Sequence, residues 1–208
     1  MKAKFNFVLF DFDNTLVDSS HIHAEAFELV LKSRGYMTPF TYESVKGLET
    51  VLAFISLGFS EFEAKGLSRL KRDAYFSISS KREPRWMEGI SEFIFKLRDY
   101  KICFAIVSSG SRDRIINTLV ELNAMNLFEF IVSREDVINQ KPASEPYRTA
   151  IRKSGRELNQ ILAVEDSESG IASAIGAGLT VWELSKRPKS NSLELLGDAL
   201  ELEDWFFQ

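Results

Sequence analysis

Short apolar runs separated by helix-like stretches constrain this chain more than any other feature. The clearest are FVLF at 7–10, ICFAIV at 102–107 and ILAV at 161–164; FEFIV at 128–132 is weaker, and LTVWEL at 179–184 adds a fifth. None alternates strictly between apolar and polar residues, which is the pattern of strands covered on both faces, as in a parallel sheet. Helical spacing fills the gaps. After SSGSRD, Ile115, Leu119 and Leu122 recur on one helical face, and after PASEPY, Tyr147, Ala150 and Ile151 do the same. Ser144 is the expected N-cap of that second helix and Gly155 its stop. Strands alternating with helices imply an α/β fold with right-handed crossovers.

One stretch breaks the rhythm. Between 17 and 83 there is no strand pattern, only the helical patterns HAEAFELVLKS, SVKGLETVLAFISL and EFEAKGLSRLKRDAYFS. The spacing predicts a helical module at 17–83 inserted into a core made of 1–16 and 84–208, with a turn at 35–39 and an exit near Pro84. Phe27, Phe40, Phe54, Phe59, Phe62 and Phe76 are read as the module's own packing. Lys65, Lys71 and Arg72 are read as solvent-facing. A length of 208 residues suits one domain with such an insert. The formal charge of −4 gives no basic excess, which argues against a nucleic-acid partner. The single cysteine, Cys103, sits in an apolar run and is read as inert core. The N-terminal apolar run is too short for a signal-peptide core, and no segment reaches membrane-spanning length. A cytoplasmic protein with no membrane partner, and a monomer, are the expectations.

Polar residues fall where the apolar runs end. Asp11 and Asp13 follow the first, Ser108 and Ser109 the second, and Glu165 and Asp166 follow ILAV, while Lys141 lies in the loop after FEFIV. Ligands of open parallel sheets bind at the carboxyl ends of strands. Neighbouring strands would therefore gather four carboxylates, two hydroxyls and one ammonium. Such carboxylates repel unless protons or a cation relieve them, and an all-oxygen set suits Mg²⁺. Each piece alone has a plainer reading: a DxD pair as a solvated turn or cap, Ser-Ser-Gly as a loop. Their ordering at successive strand ends favours chemistry.

These residues carry a resemblance. DFDNTLVDS at 11–19 resembles the DxDGTLxDS motif of the haloacid dehalogenase-like hydrolases. AIVSSG, KPASEPY and VEDSESG are similar to that family's second, third and fourth motifs, in order. The resemblance implies a three-layer Rossmann-like parallel sheet core with an inserted helical cap domain of the C1 type. It also implies a Mg²⁺-dependent phosphatase acting on a small phosphorylated substrate of phosphoglycolate or sugar-phosphate type. Asp11 would be the nucleophile and Asp13 the general acid and base. Ser108 and Lys141 would hold the phosphoryl oxygens, with the backbone N–H groups of Phe12, Asn14 and Ser109 completing the cradle. The metal would be held by Asp11, the carbonyl of Asp13, Asp166 and, either directly or as a supporting residue, Glu165.

Asp13 separates this chain from the transport ATPases and dehalogenases of the same superfamily, which lack a second Asp there. Asn14 stands where the motif prefers Gly, and Asn also tolerates unusual backbone angles. In place of GDSxxD the chain has Glu165 at the Gly position and Gly170 at the later Asp, a form that resembles β-phosphoglucomutase. In the cap, His23 and Lys46 are candidate substrate contacts, against the plainer readings of a capping histidine and a solvated lysine. Thr50 stands where the mutases carry a basic residue, which favours a phosphatase. The rivals are a phosphomutase and a non-catalytic regulator that keeps only the fold.

Overall fold

The computed structural model describes residues 4–36, 39–46, 48–184, 196–197 and 199–207. Met37 and Thr38, in the expected turn at 35–39, and Gly47, in VKGLE, lie outside the described residues. The chain divides into two compact units: Ser19–Pro84, and Met1–Asp18 together with Arg85–Gln208.

The first of these is helical: α1 (Ser20–Ser33), α2 (Thr50–Ser56) and α3 (Glu61–Ser79). Its core joins Phe27, Val30 and Leu31 of α1 to Ala53 and Phe54 of α2 and to Ala64 and Leu67 of α3. The helix expected over 44–57 is shorter at its start. A 3₁₀ turn occupies Tyr42–Ser44, and Glu49 accepts from the N–H groups of Val51 and Leu52, fixing the first turn at Thr50. α3 opens with a capping box between Ser60 and Glu63. Along α3 the buried residues are Ala64, Leu67, Lys71 and Tyr75, one stripe at helical spacing. Lys71 is therefore buried, contrary to its reading as solvent-facing. Phe62 and Phe76 lie off that stripe; Phe62 is 89% exposed and Phe76 37%, so neither belongs to the core as expected.

The second unit is built on six parallel strands: β1 (Phe7–Phe10), β2 (Cys103–Val107), β3 (Ile131–Val132), β4 (Ile161–Glu165), β5 (Thr180–Leu184) and β6 (Leu196–Gly197). Their order is β3-β2-β1-β4-β5-β6. The chain steps outward from β1 through β2 and β3, then returns to β4 on the other side, so the order reverses at β1. Among the described residues, five helices cover the sheet: α4 (Ile90–Asp99), α5 (Arg112–Glu121), α6 (Glu145–Ser154), α7 (Glu168–Gly176) and α8 (Ala199–Phe206).

The missing alternation in the strands has a direct cause. Val8, Phe10, Leu162 and Val164 pack on Phe93 of α4, Ile115 of α5 and Phe206 of α8. Phe7, Leu9, Ile161 and Ala163 pack instead on Tyr147 and Ala150 of α6 and Ala174 of α7. Each Val, Leu, Ile or Phe side chain among them contributes about 1.5–3 kcal/mol by leaving water, so both faces demand apolar residues and three layers result.

The run at 128–132 keeps only Ile131 and Val132 as strand. Phe128 instead turns inward, its ring 5.2 Å from that of Phe104. Ser144 takes the N-cap position of α6 without a side-chain cap bond, and Gly155 ends that helix at φ 63°.

Candidate active site

Phe10 pairs with Ile106 of β2 on one side and Val164 of β4 on the other, and the Asp11 N–H donates to the Val164 carbonyl at 3.0 Å. The ladder thus runs one residue beyond β1 and delivers Asp11 to the sheet's carboxyl edge. Lys141 meets it there. Its ammonium donates to Asp11 Oδ1 at 2.7 Å, to the Val107 carbonyl at 2.8 Å and to Glu165 Oε1. Those three bonds use all three donors of the ammonium.

Burial, and then the Glu165 carboxylate, push Asp11 up to about 7 against the lowering pull of Lys141. Burial alone would lower Lys141, but Asp11 and Glu165 hold it above the ordinary lysine value. Ser108 is buried at the end of β2, its hydroxyl accepting from the Gly110 N–H at 3.0 Å. Ser109 is exposed, and its carbonyl is held by the Arg134 guanidinium.

Glu165 is wholly buried. Besides Lys141, it accepts from the Tyr147 hydroxyl at 2.7 Å and from Ser167 at 3.3 Å. Burial and the Glu165 charge push the Tyr147 hydroxyl well above its ordinary value, which keeps it a donor. A Cβ on Gly170 would lie 2.0 Å from Glu165 Oε2. The glutamate carboxylate fills the space over that glycine, so Glu165 and Gly170 depart from the GDSxxD pattern together.

Asn14 adopts φ 60°, the left-handed turn expected at its position. Its N–H donates to the Val17 carbonyl at 2.7 Å and so is already engaged, unlike the open cradle donor it was read as. The Phe12 side chain is buried in the core.

Asp13 has a partner that motif reading missed. Arg114, in the first turn of α5, donates through Nη1 to Asp13 Oδ1 at 2.8 Å and through Nη2 to Oδ2. An arginine in SSGSRDRI reads as a solvated helix charge.

His23 and Lys46 belong to the helical unit. Lys46 is exposed, in the turn after the 3₁₀ segment. His23 Nδ1 lies 2.5 Å from the Lys71 ammonium. An ammonium only donates, so Nδ1 is the accepting nitrogen. The imidazole packs 4.5 Å from the Tyr75 ring. Thr50 is the first residue of α2.

Asp11, Glu165 and Asp166 bring one oxygen each within 4.8 Å of one another. With all three ionised, the carboxylates against the Lys141 ammonium leave two negative charges, and all the donors are hard oxygens, so the group fits a hard divalent cation. The Asp13 carboxylate stands outside that group, leaving its backbone carbonyl as the atom available for a metal role.

Comparison with known proteins identifies what the chain is similar to. A family model described as haloacid dehalogenase-like hydrolase matches residues 8–183. Validoxylamine A 7'-phosphate phosphatase of Streptomyces hygroscopicus subsp. limoneus is 27% identical over 179 residues, 82% of this chain and 81% of that protein. Protein CbbY of Rhodobacter capsulatus is 27% identical over 187 residues, covering 84% and 82% of the two chains. The crystal structure of a mutant CbbY from Rhodobacter sphaeroides in complex with xylulose-(1,5)bisphosphate superposes with a TM-score of 0.73 at 19% identity, covering 92% of this chain and 93% of that one.

Proposed function

The chain belongs to the haloacid dehalogenase-like hydrolases, and from that premise we propose that it is a Mg²⁺-dependent phosphatase of a small phosphorylated metabolite. The substrate is of the phosphoglycolate or sugar-phosphate type, and the reaction proceeds through an aspartyl-phosphate on Asp11. One observation carries this reading: a buried Asp11, bonded to Lys141 at the carboxyl end of β1, with Asp13 two residues on. Lys141 ties Oδ1 of Asp11, which orients Oδ2 toward phosphorus. The attack splits one displacement into two steps. Asp13 protonates the leaving oxygen and then takes a proton from the water that hydrolyses the intermediate, a contribution of about 10²–10⁴-fold. A phosphoryl oxygen replaces one of the three partners of Lys141, whose charge then offsets that of the transition state. The Ser108 hydroxyl takes a second phosphoryl oxygen. Asp11, Asp166 and the Asp13 carbonyl, with Glu165 beside them, would hold Mg²⁺, which would offset the charges of the anionic nucleophile and substrate.

The helical unit Ser19–Pro84 is assigned as the C1 cap, and substrate choice is assigned to it through His23 and Lys46. The Glu165 form of the fourth motif favours a second reading, a phosphomutase that returns the phosphoryl group to a sugar. Release of inorganic phosphate, measured beside isomer formation, separates the two. The core reading is tested on an aryl phosphate with and without Mg²⁺, using wild type, Asp11→Asn and Asp13→Asn. Wild type turns over only with the metal, and Asp11→Asn is inactive; full activity in Asp11→Asn would sink the assignment.

A further inference from the structure

We propose that Arg114 is the positioning residue for Asp13, holding its carboxylate where the leaving oxygen of the substrate must meet it. The inference rests on the reading of Asp13 as general acid. The two residues stand 101 positions apart, yet the guanidinium meets both carboxylate oxygens in a fork. A fork fixes the plane of the carboxylate as well as its distance, which the point charge of a lysine does not. The Arg114 side chain is only 10% exposed and that of Asp13 22%, so the pair is more shielded from water than a surface ion pair.

Two neighbours shape the path of the guanidinium. Its carbon lies 5.4 Å from the centre of the Phe12 ring, inside the Asp-Phe-Asp segment itself. A Cβ on Gly110 would stand 2.2 Å from Nη2, so the arginine follows this course only because residue 110 has no side chain.

The arrangement suits the work of Asp13. Arginine stays protonated in proteins, so it holds the carboxylate without competing for the proton that Asp13 moves. A carboxylate has about four acceptor directions, so the fork does not by itself exhaust those of Asp13. Asp13 has two rotatable bonds and follows immediately on the nucleophile's strand.

The test compares kcat/KM on two substrates at saturating Mg²⁺, because that ratio reports phosphorylation of Asp11 and not the later hydrolysis. Glycerol 2-phosphate has an alkoxide leaving group that needs a proton; 2,4-dinitrophenyl phosphate has one that does not. Arg114→Met loses about 100-fold on the glycerol ester, the scale of a small misplacement, and stays within about 3-fold on the aryl ester. Arg114→Lys recovers part of that loss. Gly110→Ala, which displaces Nη2 while keeping the arginine, reproduces the same imbalance and serves if Arg114→Met does not fold. Equal losses on both esters in Arg114→Met and Gly110→Ala would overturn the proposal and leave the fork as a structural tie. Asp13→Asn is the control: a flat response there overturns the general-acid reading itself, whereas the imbalance in Asp13→Asn without one in the Arg114 variants overturns only the positioning role.

Discussion

Two lysines, one in each unit, are each 6% exposed and keep opposite company. Lys141 lies among the Asp11 and Glu165 carboxylates and the Val107 carbonyl. Lys71 lies against the imidazole of His23, with the Phe27 ring centre 5.0 Å and the Tyr75 ring centre 5.5 Å from its nitrogen. Removing an ammonium from water costs several kcal/mol, and the two sites offset that cost differently. At Lys141 the neighbours carry full charges that are themselves costly to bury, so lysine and carboxylates depend on each other. At Lys71 ring faces and a lone pair contribute, each worth about 0.5–2 kcal/mol. Burial of a charged side chain alone therefore does not identify a reactive centre.

Substitution should separate the two most sharply. Lys141→Met is expected to lower kcat on an aryl phosphate by about 10³-fold and to cost about 3–5 kcal/mol in urea unfolding, because Asp11 and Glu165 are left without their cation. A loss of only a few-fold in rate would break the contrast.

The second-largest effect is on pH. In the folded chain Asp11 is held up near 7, against about 4 for an unfolded aspartate. Between those values the folded state binds the extra proton, so its contribution to stability is present below about pH 4 and is lost as pH rises through about 7. Melting temperatures of metal-free wild type, referenced to Asp11→Asn, should therefore fall across that window, and saturating Mg²⁺ should reduce the fall. A wild type that gains on Asp11→Asn with rising pH would contradict the sign.

The smallest effect belongs to Lys71→Met, which keeps the hydrocarbon chain and removes the cation. Urea unfolding should show a loss of about 1 kcal/mol. A loss as large as that of Lys141→Met would erase the distinction between the sites.

Some of this was legible in the residues alone, for physical reasons that differ by element. β1 and β4 were plain because both faces are covered, so an unbroken apolar run ends abruptly on a carboxylate. Asp11, Ser108 and Asp166 were expected near one another because each follows a strand-like run, and Lys141, from a loop, meets Asp11 there. Lys71 falls on the stripe of Ala64, Leu67 and Tyr75, so helical phase places it inside even though its charge suggests solvent. Glu49 hid the start of α2, since a glutamate capping its own helix resembles an ordinary helical residue. The Arg114–Asp13 fork had no local signature, because it depends on where α5 begins relative to the end of β1, which only the folded chain fixes. The hydroxyl bond from Tyr147 to Glu165 is of the same kind.

The crowding of Glu165 against Gly170 has a consequence for how this chain can change. The carboxylate is tied by Lys141, Tyr147 and Ser167, so it cannot retreat from a side chain introduced opposite it. Aspartate at 170 is therefore blocked while Glu165 remains, and glycine at 165 alone strips Lys141 and Tyr147 of a shared acceptor. Either exchange by itself descends into a valley, whereas the two together transfer one negative charge from strand to helix across the same small space. Positions 165 and 170 thus behave as a single two-letter word, and a route from this sequence to a GDSxxD sequence must rewrite both letters at once.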